Sequence, residues 1–298
     1  MSEPNGDPAG GDERAGPVSG LTGPVISPTG PVGTLTGINV YPIKSAKGTS
    51  LSRGVVTPTG LAHDREWMVV DDTGNFVSQR ELPRLCLIQP TLGAADLIIS
   101  APGMSDISVP LGGEGAGQRR VRVWADEVEA ETTSAEADEW LSDFLGARHH
   151  LVRIPPRTVR GVDPTYGQPG DRVGFADAFP FLVISQASLD DLNQRLADKG
   201  HETLPMNRFR PNLVVAGTEP FAEDTWGRVR IGAIGFRVVK PCARCVITTT
   251  DQATGVVGRE PLRTLATYRR VGGKVMFGQN ACHDQTGELV IGDEVARA

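Results

Sequence analysis

The chain has 298 residues, 39% of them hydrophobic and 22% charged, with a formal net charge of -6. That length gives room for two domains or one large one with ample core. The acidic balance argues against nucleic-acid binding by phosphate neutralisation, and no apolar run reaches the length of a membrane span or forms a secretion signal. A cytoplasmic location, where thiols stay reduced, is the expectation.

Met1 to about Gly33 is rich in Gly, Pro, Ser and Asp without apolar periodicity, and is predicted to be a disordered leader. A first domain is expected over 34–154 and a second over 155–298. Order begins with Leu35 to Lys44, where the alternation of Ile38 and Val40 predicts a strand running into a loop. In that loop Lys44 and Ser45, followed by Lys47 and Gly48, offer charge and donors to a phosphate. Arg65 to Asp71 and Phe76 to Arg80 read as a hairpin around Asp72-Thr-Gly-Asn75, framed by Arg65 and Arg80. Leu85 to Pro90, Asp96 to Ser100 and Ile107 to Leu111 read as short strands, and Arg119 to Ala130 as a longer one. Ser134 caps a helix whose stripe of Ala137, Trp140, Leu141, Phe144 and Leu145 ends at Gly146. Ile154 to Gly170 reads as a linker or lid.

The second domain opens with Phe175 to Ile184, a loop entering a buried strand, and a helix capped by Ser188. Alternation places Arg208 and Arg210 on one face of an extended segment ahead of Asn212, which makes an anion clamp. Arg228 to Lys240 is strand-rich, Glu260 to Leu265 starts a helix, and Leu289 to Val295 reads as a closing strand pair around Gly292-Asp293. Many short strands separated by turns predict a mainly β, α+β chain with two β-barrel-like domains and a few covering helices.

The densest chemistry lies in Lys240-Pro-Cys-Ala-Arg-Cys-Val-Ile-Thr-Thr-Thr-Asp251. A thioredoxin-like dithiol needs its cysteines at a helix N-terminus, and the β-branched run Val246 to Thr250 predicts a strand instead. Zinc needs a second ligand pair, for which Cys282 and His283 are the nearby candidates, though adjacent strand residues point apart. The third option is one thiolate on a soft metal centre, with Arg244 balancing anionic charge. Cys242 is then a small buried side chain.

This segment resembles the signature of the MOSC superfamily, in particular the branch of the mitochondrial amidoxime-reducing component and its bacterial hydroxylaminopurine-detoxifying relatives. The Tyr41-Pro-Ile-Lys-Ser45 segment, Asp64-Arg65, Ser78-Gln-Arg80, Phe209-Arg-Pro-Asn212 and the Phe277-Gly-Gln-Asn280 loop resemble it too. The resemblance implies a molybdenum cofactor (Mo-molybdopterin) with the metal on Cys245. The ligand would be held by Lys44, Ser45, Arg65, Arg208, Arg210, Asn212, Ala243, Arg244 and Asn280, and by main-chain groups at Ala178 and Phe179. The implied activity is reduction of N-hydroxylated small molecules such as amidoximes, hydroxylamines and N-hydroxylated nucleobases. No ferredoxin cysteine set or convincing nucleotide fingerprint is present, so electrons are expected from a separate flavin or iron-sulfur reductase. Two other classes stay open: a cofactor carrier or sulfur-transfer protein, and a lysine-based pyridoxal phosphate enzyme using Lys44 or Lys47.

Overall fold

The computed structural model describes residues 30–112 and 115–298. The expected disordered leader lies, as far as position 29, outside the described residues. Its far end is corrected, because Pro31, Val32 and Gly33 already belong to a strand, held by pairing with Ala296 and Val295.

The architecture is mainly β and centres on a closed seven-stranded barrel. Its strands are β1 (Pro31–Val40), β2 (Phe181–Ser185), β3 (Leu213–Ala216), β4 (Arg228–Ile231), β5 (Ile234–Ala243), β6 (Lys274–His283) and β7 (Glu294–Arg297). Around the barrel the order is β2-β3-β1-β7-β4-β5-β6, and β6 pairs with β2 to close it. β1 is the strand that the sequence boundary near Ile154 assigns to the first domain, yet both its barrel neighbours, β3 and β7, come from beyond that boundary. A register shift between Leu35 and Gly37 lets Leu35, Ile38 and Val40 all face inward despite their uneven spacing. They meet Phe181, Val183, Leu213, Val229, Ile231, Phe236 and Val295 in one core, where Phe181 and Phe236 pack edge to face 5.1 Å apart. Phe236→Ala is expected to cost about 3–5 kcal/mol by leaving a cavity, measurable as a fall in the denaturation midpoint at constant slope.

Most of the remaining N-terminal chain forms a four-stranded sheet ordered Trp67–Asp71, His149–Arg153, Asp126–Thr132, Gly117–Val123, and a three-stranded meander over Gln89–Leu92, Asp96–Ser100 and Ile107–Pro110, while Arg53–Thr57 pairs with Gly60–Leu61 and Gly287–Val290. The helix Ala135–Leu145 lies against their shared core, capped as expected by Ser134 Oγ accepting from Ala137 N and by left-handed Gly146. No helix among the described residues is long and apolar enough to cross a membrane.

Several local expectations change. Arg119 to Ala130 is a hairpin, its strands joined at Trp124-Ala125. Pro83–Leu87 winds into a 3-10 turn before Gln89–Leu92 extends, and only Phe76 and Val77 of the segment to Arg80 pair back. The helix Gln186–Ala197 is capped by Ser185, while Ser188 donates to buried Glu223 at 2.8 Å. Gly287–Val290 and β7 flank the Gly292 turn but join different sheets. Phe277 to Asn280 is not a loop but part of β6, where Gly278 sits at φ +78° beside a register shift. A Cβ there would lie 2.6 Å from Ile184 Cγ1. Gly278→Ala therefore combines overpacking of about 1–3 kcal/mol with left-handed strain of about 1–2 kcal/mol, and should lower the melting temperature.

Candidate functional site

The loop leaving β1, the loops ending at Arg65 and Arg80, the Ala176 to Phe179 loop, the Phe209 to Asn212 turn and the end of β5 converge on one cavity. Lys44, Ser45, Arg65, Ala178, Phe179, Arg210, Asn212, Ala243, Arg244, Cys245 and Asn280 all line it, so eleven of the twelve residues singled out from sequence come together. Arg208 does not line it. Met206–Arg208 is a 3-10 turn and Arg210 has φ +57°, so the alternation that put both arginines on one face is broken. Arg208 turns instead toward Asp251, 3.6 Å away. Cys242 also lines the cavity, half-buried, rather than sitting in the core. Arg80 lines it as well. From the sequence it read only as a frame for a hairpin, and the signal for it was its place in Ser78-Gln-Arg80.

Backbone conformation positions these groups. Ser45, Arg65 and Arg210 all have positive φ, at 69°, 47° and 57°. Such torsions are costly for side-chain-bearing residues and persist where their surroundings enforce them. Here Arg65 N donates to Tyr41 O, Lys44 N to Trp67 O, and the Asp64 carboxylate accepts from Tyr41 N. The Arg65 and Arg210 guanidinium carbons each lie 4.2 Å from the centre of the Tyr41 ring. Asn212 ties the same region together, its side chain joining Leu182 N, Asn39 O and Arg65. On the opposite wall, buried Arg160 donates to Gly174 O, Ala176 O and Asp177 O, fixing the loop that carries Ala178 and Phe179.

Among the described residues, five cations and a single carboxylate, Asp177, line the cavity of a protein whose net charge is -6. Such a concave positive field concentrates anions. Lys44, Arg65, Arg210 and Arg244 each donate to a main-chain carbonyl, of Phe175, Arg210, Ala46 and Phe209 respectively. Burial depresses the Lys44 ammonium below its ordinary value, with the Asp177 ion pair working against it. Burial, then the neighbouring Arg65 charge, lower Arg210 to about 10, and burial raises Tyr41 to about 12. These charges are held at a cost that an anion in the cavity would relieve.

For Asp177 burial favours the neutral acid, but Lys44 and Arg80 outweigh it and hold the carboxyl well below its usual range. Its contribution to stability is present above the unfolded carboxylate pKa, near 3.9, and is lost as pH falls through the lower folded value. Asp177→Asn should therefore narrow its stability gap to the parent only below about pH 4, as read from melting temperature against pH.

The thiol end is built by β5 and the turn after it. Arg244 Nη1 approaches Cys242 Sγ at 2.9 Å, and Arg80 Nη2 approaches Cys245 Sγ at 3.4 Å. Val246–Thr249 is a 3-10 turn rather than a strand, because Thr248 and Thr249 hydroxyls donate back to Cys245 O and Val246 O. Cys245 is therefore the N-cap of a single 3-10 turn, and neither an α-helix nor a strand follows it directly. Cys282 lies buried away from the pair, and among the described residues no group of three or more His, Cys, Asp or Glu is placed to hold a metal ion, which removes the zinc reading.

Fold and cavity together define a barrel-centred β protein with a cation-lined, thiol-bearing site shared by both halves of the chain. The MOSC N-terminal beta barrel domain matches residues 32–148 and the MOSC domain residues 170–296, and the chain belongs to the MOSC family. It is 36% identical over 282 residues to mitochondrial amidoxime-reducing component 1 of Mus musculus, covering 88% of this chain and 82% of that protein. The human counterpart is 34% identical with the same coverage. The molybdenum cofactor sulfurase of Danio rerio is 36% identical over 84% of this chain but only 32% of its own length.

Proposed function

We propose that the cavity holds the molybdenum cofactor, a phosphorylated pterin dithiolene carrying the metal, and that the protein reduces N-hydroxylated compounds. One observation carries the reading: an accessible thiol, Cys245, stands in a cavity where, among the described residues, cations outnumber carboxylates by five to one. The donor set fits the ligand. Molybdopterin is anionic and its metal is soft, so it calls for several converging cations and one thiolate. The relatives named amidoxime-reducing components add the reaction class.

In this reading Lys44, Ser45, Arg65 and Arg210 take the phosphate end, and Asn212 and Asn280 stiffen the walls on which they stand. Main-chain groups at Ala178, Phe179 and Ala243 contact the pterin, Arg244 balances charge beside the thiols, and Cys245 supplies the metal ligand. Arg208 is left out because its side chain faces Asp251. When bound, the cofactor supplies the two-electron chemistry at the N–O bond. Reduction of R–NH–OH to the amine and water consumes two electrons and two protons, and a separate flavin or iron-sulfur reductase delivers the electrons. Lys44 is tied to Phe175 O and Asp177 and is unsuited to an internal aldimine, which disfavours the pyridoxal phosphate class.

Natively purified protein should carry molybdenum and pterin and should reduce benzamidoxime with an artificial electron donor. Absence of both metal and turnover after expression in a cofactor-making host would overturn the reading. The sulfurase match favours a second reading, a cofactor carrier. Bound molybdenum without turnover on any N-hydroxylated substrate is the result that would select it.

A further inference from the structure

Of the five cations lining the cavity, Arg80 alone makes no hydrogen bond to a main-chain carbonyl among the described residues. Its guanidinium touches Ser78 Oγ at 3.5 Å and Cys245 Sγ at 3.4 Å, and lies 3.8 Å from Asp177. What holds it is an aromatic ring: its central carbon sits 4.6 Å from the centre of Trp124. Trp124 comes from the tip of a hairpin in the N-terminal sheet, is 44% exposed, and has φ +57° at the first position of a two-residue loop, where glycine is usual. A bulky residue in that conformation is an outlier that points to function. Its placement is enforced on two further sides, since the indole N–H donates to Asp177 at 3.1 Å and the ring packs on Phe76 at 4.8 Å.

We propose that Arg80 is the cation that receives the N-bound oxygen of the substrate beside Cys245, and that Trp124 is the residue that positions it there. The four carbonyl-anchored cations are fixed to the scaffold, as a permanent ligand requires. Arg80 rests on a ring face at the thiol end and is only 23% exposed, so it can turn two N–H donors toward an incoming oxygen without breaking a main-chain contact. The substrate half of this proposal rests on the reductase reading. The positioning half does not.

Two measurements on the full chain separate them. In cofactor-free protein, Cys245 is alkylated with iodoacetate and with iodoacetamide at one pH, and the ratio of rates reports cation placement because the thiolate fraction cancels. Trypsin cleaves after Arg244, so Cys245 is read on the peptide to Arg259 apart from Cys242. Arg80→Gln and Trp124→Leu should each lower the anionic preference roughly fivefold, the effect of one unit charge at about 4 Å in water. Trp124→Phe keeps a ring under the guanidinium and should restore it. In loaded enzyme, Arg80→Gln and Trp124→Leu should each raise KM for benzamidoxime by roughly tenfold, the loss of one charge-assisted hydrogen bond. Molybdenum content should be unchanged, and the double variant no worse than Arg80→Gln alone.

An unchanged alkylation ratio in Arg80→Gln or Trp124→Leu overturns the proposal whatever the enzyme reduces. A lowered ratio with unchanged KM overturns the substrate half. A parent protein that holds molybdenum and shows the anionic preference but turns over no N-hydroxylated compound overturns the reductase reading and the substrate half with it, while supporting the positioning role.

Discussion

Cys245→Ser is expected to lose N-hydroxylated substrate reduction to background while the fold survives. The side chain is half-buried two residues past the end of β5, and its sulfur hydrogen-bonds only with Arg80 among the described residues, so the swap opens no core cavity. A hydroxyl matches the thiol in size but is a hard, weakly acidic ligand where a soft metal needs thiolate. Circular dichroism and the denaturation midpoint should match the parent, while turnover vanishes. Turnover near the parent rate in this variant would remove the mechanism, because no other described residue of the cavity except Cys242 offers a thiol.

Arg210→Gln should act on occupancy rather than on chemistry. The guanidinium is buried against Tyr41 and bonded to Ala46 O at 2.5 Å. A charge-assisted bond to a buried anionic oxygen is worth about 1.5–3 kcal/mol, so its loss should weaken cofactor binding by roughly 10- to 150-fold. Metal analysis of purified protein checks this, and stoichiometric molybdenum in the variant would contradict it. Stability of the cofactor-free form should change far less, because the charge that is removed is one the fold already holds below its ordinary pKa.

Most of the site was legible from sequence because its motifs bring chemistry-bearing side chains at fixed spacing, and short-range main-chain bonds such as Arg65 N to Tyr41 O set the turns that carry them. Lys44, Arg65, Arg210 and Cys245 fall in this class. What escaped was set by contacts distant in sequence or by local bonds that overrule pattern. The run from Arg119 to Ala130 holds no glycine, proline or asparagine, and the one mark of the turn is a break in alternation at Val123-Trp-Ala-Asp-Glu127, where Trp124 is held by Arg80, Asp177 and Phe76. The β-branched run after Cys245 looked like a strand until its threonine hydroxyls turned back on the main chain. Ser188 resembled a cap, but its hydroxyl serves Glu223, a residue 35 positions away. The domain boundary was placed where composition changes, which carries no information about the partners of β1.

The pairing of β1 sets an order of assembly. During synthesis, Pro31–Val40 emerges long before either neighbour exists, and its seam is sealed only after Glu294–Arg297 has been made. Lys44, Arg65 and Arg80 must therefore wait on the ribosome unassembled, while Arg210, Arg244 and Cys245 are still being translated. On the proposed reading, an anionic pterin meets no complete site while the chain is being made, so its loading would follow closure of the barrel.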